Sequence, residues 1–280
     1  MKPGLIGFIQ GETFWQDLEK LAKLGYKGMD SDAMMAPGDE SMADKAKKMR
    51  DLGIEPLTVS SGFDLEKRTM SVSAIKKDID RIVKACKEQG LSRCTLWGGS
   101  AITSFTKGYG NNGTYEELME DIDAMNYAIP KLADEGIVLA YHNHYQEFTV
   151  YHKGVASIDY MLALTDERLN FDLDVGWATV AGQDPVEVMK RVEGRIAVVH
   201  YKDIFDVEAC KRMGGVIATD SSTGFTALGT GLLEVGRVAI EADRQGIEWG
   251  IVEQDRLRNL DTMQALTMAY YSFKETGLFE

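Results

Sequence analysis

The chain has 280 residues, 44% of them hydrophobic and 27% charged, with a net charge of −13. That length suits one large α/β barrel or two ordinary domains, with enough apolar material for a full core. The acidic balance argues against nucleic acid as a partner, since phosphate-backbone binding needs clustered Lys and Arg.

The opening "MKPGLIGFIQGETFW" holds an apolar run too short for a signal peptide or a membrane span. It reads as a first β-strand, with no membrane partner. Cys86, Cys94 and Cys210 are odd in number and lack CxxC spacing, so neither a disulfide framework nor a thiolate zinc site is indicated, and a reducing cytoplasm is the expected compartment. From there, short apolar runs alternate with longer amphipathic stretches. The expected strands are 4–9, 26–30, 54–60, 93–98, 137–143, 169–174, 196–201 and 249–254. Between them, "ETFWQDLEKLAKLGY" puts Phe14, Leu18, Leu21 and Leu24 on one helical stripe that stops at Gly25. "SVSAIKKDIDRIVKACKEQG" does the same with Ile75, Ile79, Ile82 and Val83 and stops at Gly90, and Pro130 is expected to kink the next helix.

Eight strand–helix units predict a (β/α)8 TIM barrel occupying 1–280 as a single domain. A doubly wound open sheet would carry a glycine-rich phosphate turn after strand one, and "GFIQGETFW" has no GxGxxG. The longest non-periodic stretches, 98–113 and 203–231, follow strands and are expected to shape a pocket.

Function in such barrels sits where strands end and βα loops begin. Strand five ends in "YHNHYQE", strand six in "DLD", strand seven in "HYKD" and strand eight in "EQD". Consecutive strands are neighbours, so these four ends form an arc. Long Glu147 and Glu253 at its ends and shorter Asp174 and His200 in its middle can converge on one divalent cation. Three carboxylates and one imidazole favour Mn²⁺, with Co²⁺, Mg²⁺ or Zn²⁺ as alternatives. Asp172 shares the face of Asp174 and could replace it. Each residue has a plainer reading: a helix cap for Asp174, a solvated charge for Glu253, a satisfied polar group for His200. What favours metal binding is that all four follow apolar runs in adjacent strands. His142 and His144 alternate onto one face, His144 as a binding or catalytic group and His142 as the deeper residue. Lys202 is expected to hold a substrate oxygen, and Trp15, Trp97 and Trp177 are candidates for a pocket wall.

The segments "YHNHYQEF", "FDLDVGWATVAGQDP", "VVHYKD" and "IVEQD" resemble, in this order and spacing, the sugar-phosphate isomerase/epimerase group of the xylose-isomerase-like TIM barrels. The resemblance covers about 137–256 and includes the glycine-containing turn "ALGTGLLEV". It implies that Glu147, Asp174, His200 and Glu253 bind the cation, and that Glu147 and Glu253 exchange protons with carbon across the sugar. Many ketose epimerases carry a histidine three positions after the strand-six aspartate, where this chain has Trp177. The "HNH" segment also resembles enzymes acting on 3-oxo-glycosides, in which a histidine of this segment serves as base. The expected activity is therefore metal-dependent isomerisation or epimerisation of a small sugar or sugar derivative through an enediolate. A 3-oxo-glycoside lyase or deglycosidase subunit is the alternative; a non-catalytic sugar-binding protein and an endonuclease IV-like nuclease rank below it. A homo-oligomer is compatible with the sequence.

Overall fold

The computed structural model describes residues 1–6, 9–64, 69–99, 113–213, 224–253 and 260–280. Gly7 and Phe8 of the expected first strand, most of 98–113, part of 203–231, and Gln254 and Asp255 lie outside the described residues.

Parallel strands arise where short β-branched and aromatic runs are buried on both faces, and these do so in sequence order. They are β1 (Lys2–Leu5), β2 (Gly28–Met29), β3 in two pieces (Glu55–Pro56 and Val59–Ser61), β4 (Arg93–Trp97), β5 (Val138–His142), β6 (Asn170–Asp174), β7 (Ile196–Tyr201) and β8 (Trp249–Val252). The first piece of β3 pairs with β2, and pairing continues through β1, β8, β7, β6, β5 and β4 to the second piece of β3. The two ends of this ladder are joined by only Leu57 and Thr58, so the sheet closes on itself as a (β/α)8 barrel. A shift between Phe171 and Asp172 in the β6–β7 pairing brings Asp174 opposite His200.

The outer layer is α1 (Phe14–Leu24), α2 (Met42–Asp51), α3 (Ile75–Gln89), α4 (Tyr115–Ala133), α5 (Ser157–Leu164), α6 (Pro185–Arg191), α7 (Val235–Arg244) and α8 (Thr262–Glu275). In α1, Phe14, Leu18 and Leu21 are buried, each contributing about 1.5–3 kcal/mol. Helix α3 ends at Gly90 in the left-handed conformation that glycine adopts without strain. Helix α4 opens on a Thr114/Glu117 capping box and runs three residues past Pro130, which sits in its last turn. Because side chains alternate along a strand, Trp97, His142, Asp174 and His200 face the barrel axis, whereas Tyr141 faces the helices.

Candidate metal and substrate site

Three of the four expected ligands meet at the C-terminal mouth. His142, Asp174, His200 and Glu253 offer ligand atoms that all lie within 4.8 Å of one another. The first three are fully buried, and the Glu253 side chain is 13% exposed. His200 Nδ1 is 2.6 Å from Glu253 Oε2, and His142 Nε2 is 3.8 Å from the same oxygen.

Glu147 is not a member of this group, a correction to the expected ligand set. Its Oε1 accepts from the Tyr141 hydroxyl at 2.7 Å and its Oε2 from the His144 backbone N–H at 2.8 Å. The cause is strand parity. Glu147 lies on the short helix Gln146–Thr149 and partners the outward-facing Tyr141, so its carboxylate sits behind β5. Burial pushes it above the usual carboxylate range despite those donors. The inward-facing His142 stands in its place, with its ligand atom within 4.8 Å of those of Asp174, His200 and Glu253.

Local structure holds the ligands in place. The Asn143 side chain donates to Asp174 O at 3.1 Å and accepts from Asp174 N at 3.0 Å, pinning the ends of β5 and β6 together. Asp174 caps the helix Val175–Val180, its Oδ1 accepting from Trp177 N at 2.8 Å, while Oδ2 lies 3.2 Å from Lys202 Nζ. Gly176 permits this approach, since a Cβ there would lie 2.1 Å from Lys202 O. Asp203 accepts from the backbone N–H groups of Ile204, Gly229, Gly231 and Leu233. It binds the glycine-containing turn to the end of β7.

Lys202 reaches Glu253 Oε1 at 3.1 Å and lies 4.8 Å from the Trp177 ring centroid. His144, half-buried, stands 5.4 Å from the same ring. Trp97 packs on His142 at 4.7 Å and on His200 at 6.1 Å. Trp177 and Trp97 therefore pack against members of this group or beside it. Trp15 belongs elsewhere: its Nε1 donates to Pro37 O at 3.3 Å and Lys48 sits over its ring.

Burial and charge divide the titrating groups. Burial drives His142 well below its ordinary value, and burial with the Lys202 ammonium holds His144 down, so both rings are neutral near pH 7. Burial raises Asp174 to about 7 against the pull of Lys202. Burial also opposes the charge on His200, but its bonds to Asp30 and Glu253 outweigh this and raise it to about 10. Glu253 stays well below its ordinary value because Lys202 and the histidines outweigh desolvation.

Both ring nitrogens of His142, Nδ1 of His144 and the indole nitrogens of Trp97 and Trp177 are buried without a hydrogen-bond partner. Proteins rarely leave such atoms alone, and several of those among the described residues lie at this site. Two imidazoles and two carboxylates are also a set that Zn²⁺, Mn²⁺ and Co²⁺ accept. The residues fit a divalent cation.

Below this group lies a second, missed in the sequence. Arg93 Nη2 pairs with Asp30 Oδ1, Arg93 Nη1 is 3.2 Å from Asp172 Oδ1, and Thr95 donates to Asp172 Oδ2. An arginine opening the otherwise apolar "RCTLW" was the available signal.

The xylose isomerase-like TIM barrel family model matches residues 18–262. The chain belongs to that family. It is 29% identical over 203 residues to an inosose dehydratase of Clostridium botulinum, covering 69% of this chain and 64% of that protein. The chain thus spans about two thirds of the length of that relative. A sugar phosphate isomerase/epimerase from Parabacteroides distasonis superposes with a TM-score of 0.71 at 21% identity, covering 96% of this chain and 92% of that one. A protein named IolI, solved with a zinc atom, superposes with a TM-score of 0.68 at 17% identity, covering 99% and 98%. No helix among the described residues is long and apolar enough to cross a membrane.

Proposed function

We propose that the protein is a divalent-metal-dependent enzyme that removes a proton from the carbon beside the carbonyl of an oxidised sugar or cyclitol and expels a β-hydroxyl as water. The observation that carries this reading is the buried His142, Asp174, His200 and Glu253 group with its orphaned polar atoms. A cation bound there would supply Lewis-acid polarisation of a carbonyl oxygen, whether Zn²⁺, Mn²⁺ or Co²⁺.

The chain's own residues do the rest. His144 is neutral and half-buried and its Nδ1 has no partner, so it can accept the carbon-bound proton. Lys202 stands beside the same indole and can donate to the departing hydroxyl. Trp97 and Trp177 supply apolar walls that exclude water. Elimination is favoured over two-face epimerisation because Glu147, the expected second proton-exchanging carboxylate, is tied to the Tyr141 hydroxyl and the His144 N–H and lies outside the group that contains Glu253. The named activity of the inosose dehydratase relative points the same way.

Isomerisation or epimerisation is the second reading, favoured by the Parabacteroides distasonis neighbour named for that chemistry. Incubating the metal-loaded protein with inososes and 3-oxo-glucosides in ²H₂O separates the two. Loss of one water with appearance of a conjugated enone supports elimination, and deuterium at carbon without mass loss supports epimerisation. Neither change across the panel would refute the catalytic reading.

A further inference from the structure

The carboxylate of Asp30, at the end of β2, touches the candidate metal group through one atom. His200 Nε2 lies 2.7 Å from Asp30 Oδ2, on the side of the ring away from Glu253. The other oxygen, Asp30 Oδ1, accepts from Arg93 Nη2, and the guanidinium is shared with Asp172. Asp30 and His200 are fully buried and Arg93 is 8% exposed. Water therefore has little access to compete for these bonds.

We infer that Asp30 is a positioning residue: fixed by Arg93, it holds the His200 proton on Nε2 and so presents an unprotonated Nδ1 to the cation. This deepens the proposed function and rests on His200 being a ligand. The physical reason is that an imidazole can bind a cation only through a bare nitrogen, and its other N–H sets which nitrogen that is. A carboxylate can only accept, so an ionised Asp30 permits a single tautomer of the metal-bound ring. Arg93 rises from the start of β4, at the opposite end of the barrel, and keeps that carboxylate charged and turned toward His200. The fold thus ties the floor of the barrel to the orientation of one ligand at its mouth.

Asp30→Asn makes the inference testable because it preserves shape and reverses one bond. Arg93 still requires an acceptor, so the amide oxygen stays on its side and the amide NH₂ faces His200 Nε2. That nitrogen must then accept, and the proton moves to Nδ1, where the cation belongs. Zinc serves as a diamagnetic probe, with affinity measured by chelator competition and the tautomer by long-range ¹H–¹⁵N correlation on protein labelled at its four histidines. Zinc-loaded wild-type protein is expected to show His200 bound through Nδ1 with Nε2 protonated. Asp30→Asn is expected to bind zinc at least 10- to 100-fold more weakly. Asp172→Asn, which disturbs the same arginine without touching His200, is expected to stay within about threefold of wild type. If Asp30→Asn fails to fold, the wild-type tautomer alone decides. Zinc bound through Nε2, or Asp30→Asn binding zinc as tightly as wild type, overturns the inference and leaves the proposed function standing. Wild-type protein that takes up no divalent ion overturns both.

Discussion

Two buried charge groups share the barrel axis, and they behave differently. The lower one, Asp30, Asp172 and Arg93, contains its own cation, and its acids are paired with it. The upper one, His142, Asp174, His200 and Glu253, has Lys202 against two of its carboxylates, and both ring nitrogens of His142 lack a hydrogen-bond partner. Both are acidic, inward-facing and deeply buried. The lower group carries a neutralising arginine, although Arg93 Nε and Asp172 Oδ1 there also lack a hydrogen-bond partner, whereas the upper group brings two imidazoles and two carboxylates together.

Substitution should separate the two groups. Arg93→Met leaves two buried carboxylates without their partner and is expected to destabilise the fold by about 3–5 kcal/mol, read by denaturant unfolding. If it unfolds at the wild-type midpoint, the lower group is not structural. Glu253→Gln is expected to weaken cation binding by more than about 100-fold, beyond the loss expected from an outer contact. Equal cation uptake would remove Glu253 from the site.

Acidity offers a graded version of the same contrast. In the metal-free fold His200 keeps its proton to about 10, against an ordinary 6.5, and Asp174 to about 7, against 3.8. The folded state therefore binds protons that the unfolded chain has released. The contribution of these two groups to metal-free stability is full at low pH and is lost as pH rises, through Asp174 between 3.8 and about 7 and through His200 between 6.5 and about 10. A cation must displace both protons, so its affinity should rise with pH, more steeply below pH 7 than above. Titration calorimetry in buffers of different ionisation enthalpy counts the released protons. Affinity independent of pH would contradict the assignment. The smallest effect is expected at Glu147: Glu147→Gln should cost about 1–2 kcal/mol of stability through its bonds to Tyr141 and His144 and leave cation affinity within about threefold.

The barrel was legible because period-2 and period-3.6 patterns alternate eight times along the chain, and β7 falls on the expected 196–201. Asp174, His200 and Glu253 were legible for the same reason, each ending an apolar run. The choice between His142 and Glu147 was not. Both follow β5 within a few residues, and only the inward parity of 142 and the outward Tyr141 decide between them. Asp30 was visible as a polar residue at a strand end of the first half, but Arg93 escaped because their pairing joins strands whose sequences give no hint of contact. Asn143 and Asp203 look like site residues in the sequence, and the fold uses both to tie backbone together.

Crystals grown with Mn²⁺ and measured by anomalous diffraction test the central claim most directly. A single peak within about 2.0–2.3 Å of His142, Asp174, His200 and Glu253 is the predicted result. A peak beside Glu147, or none among these residues, would contradict the account.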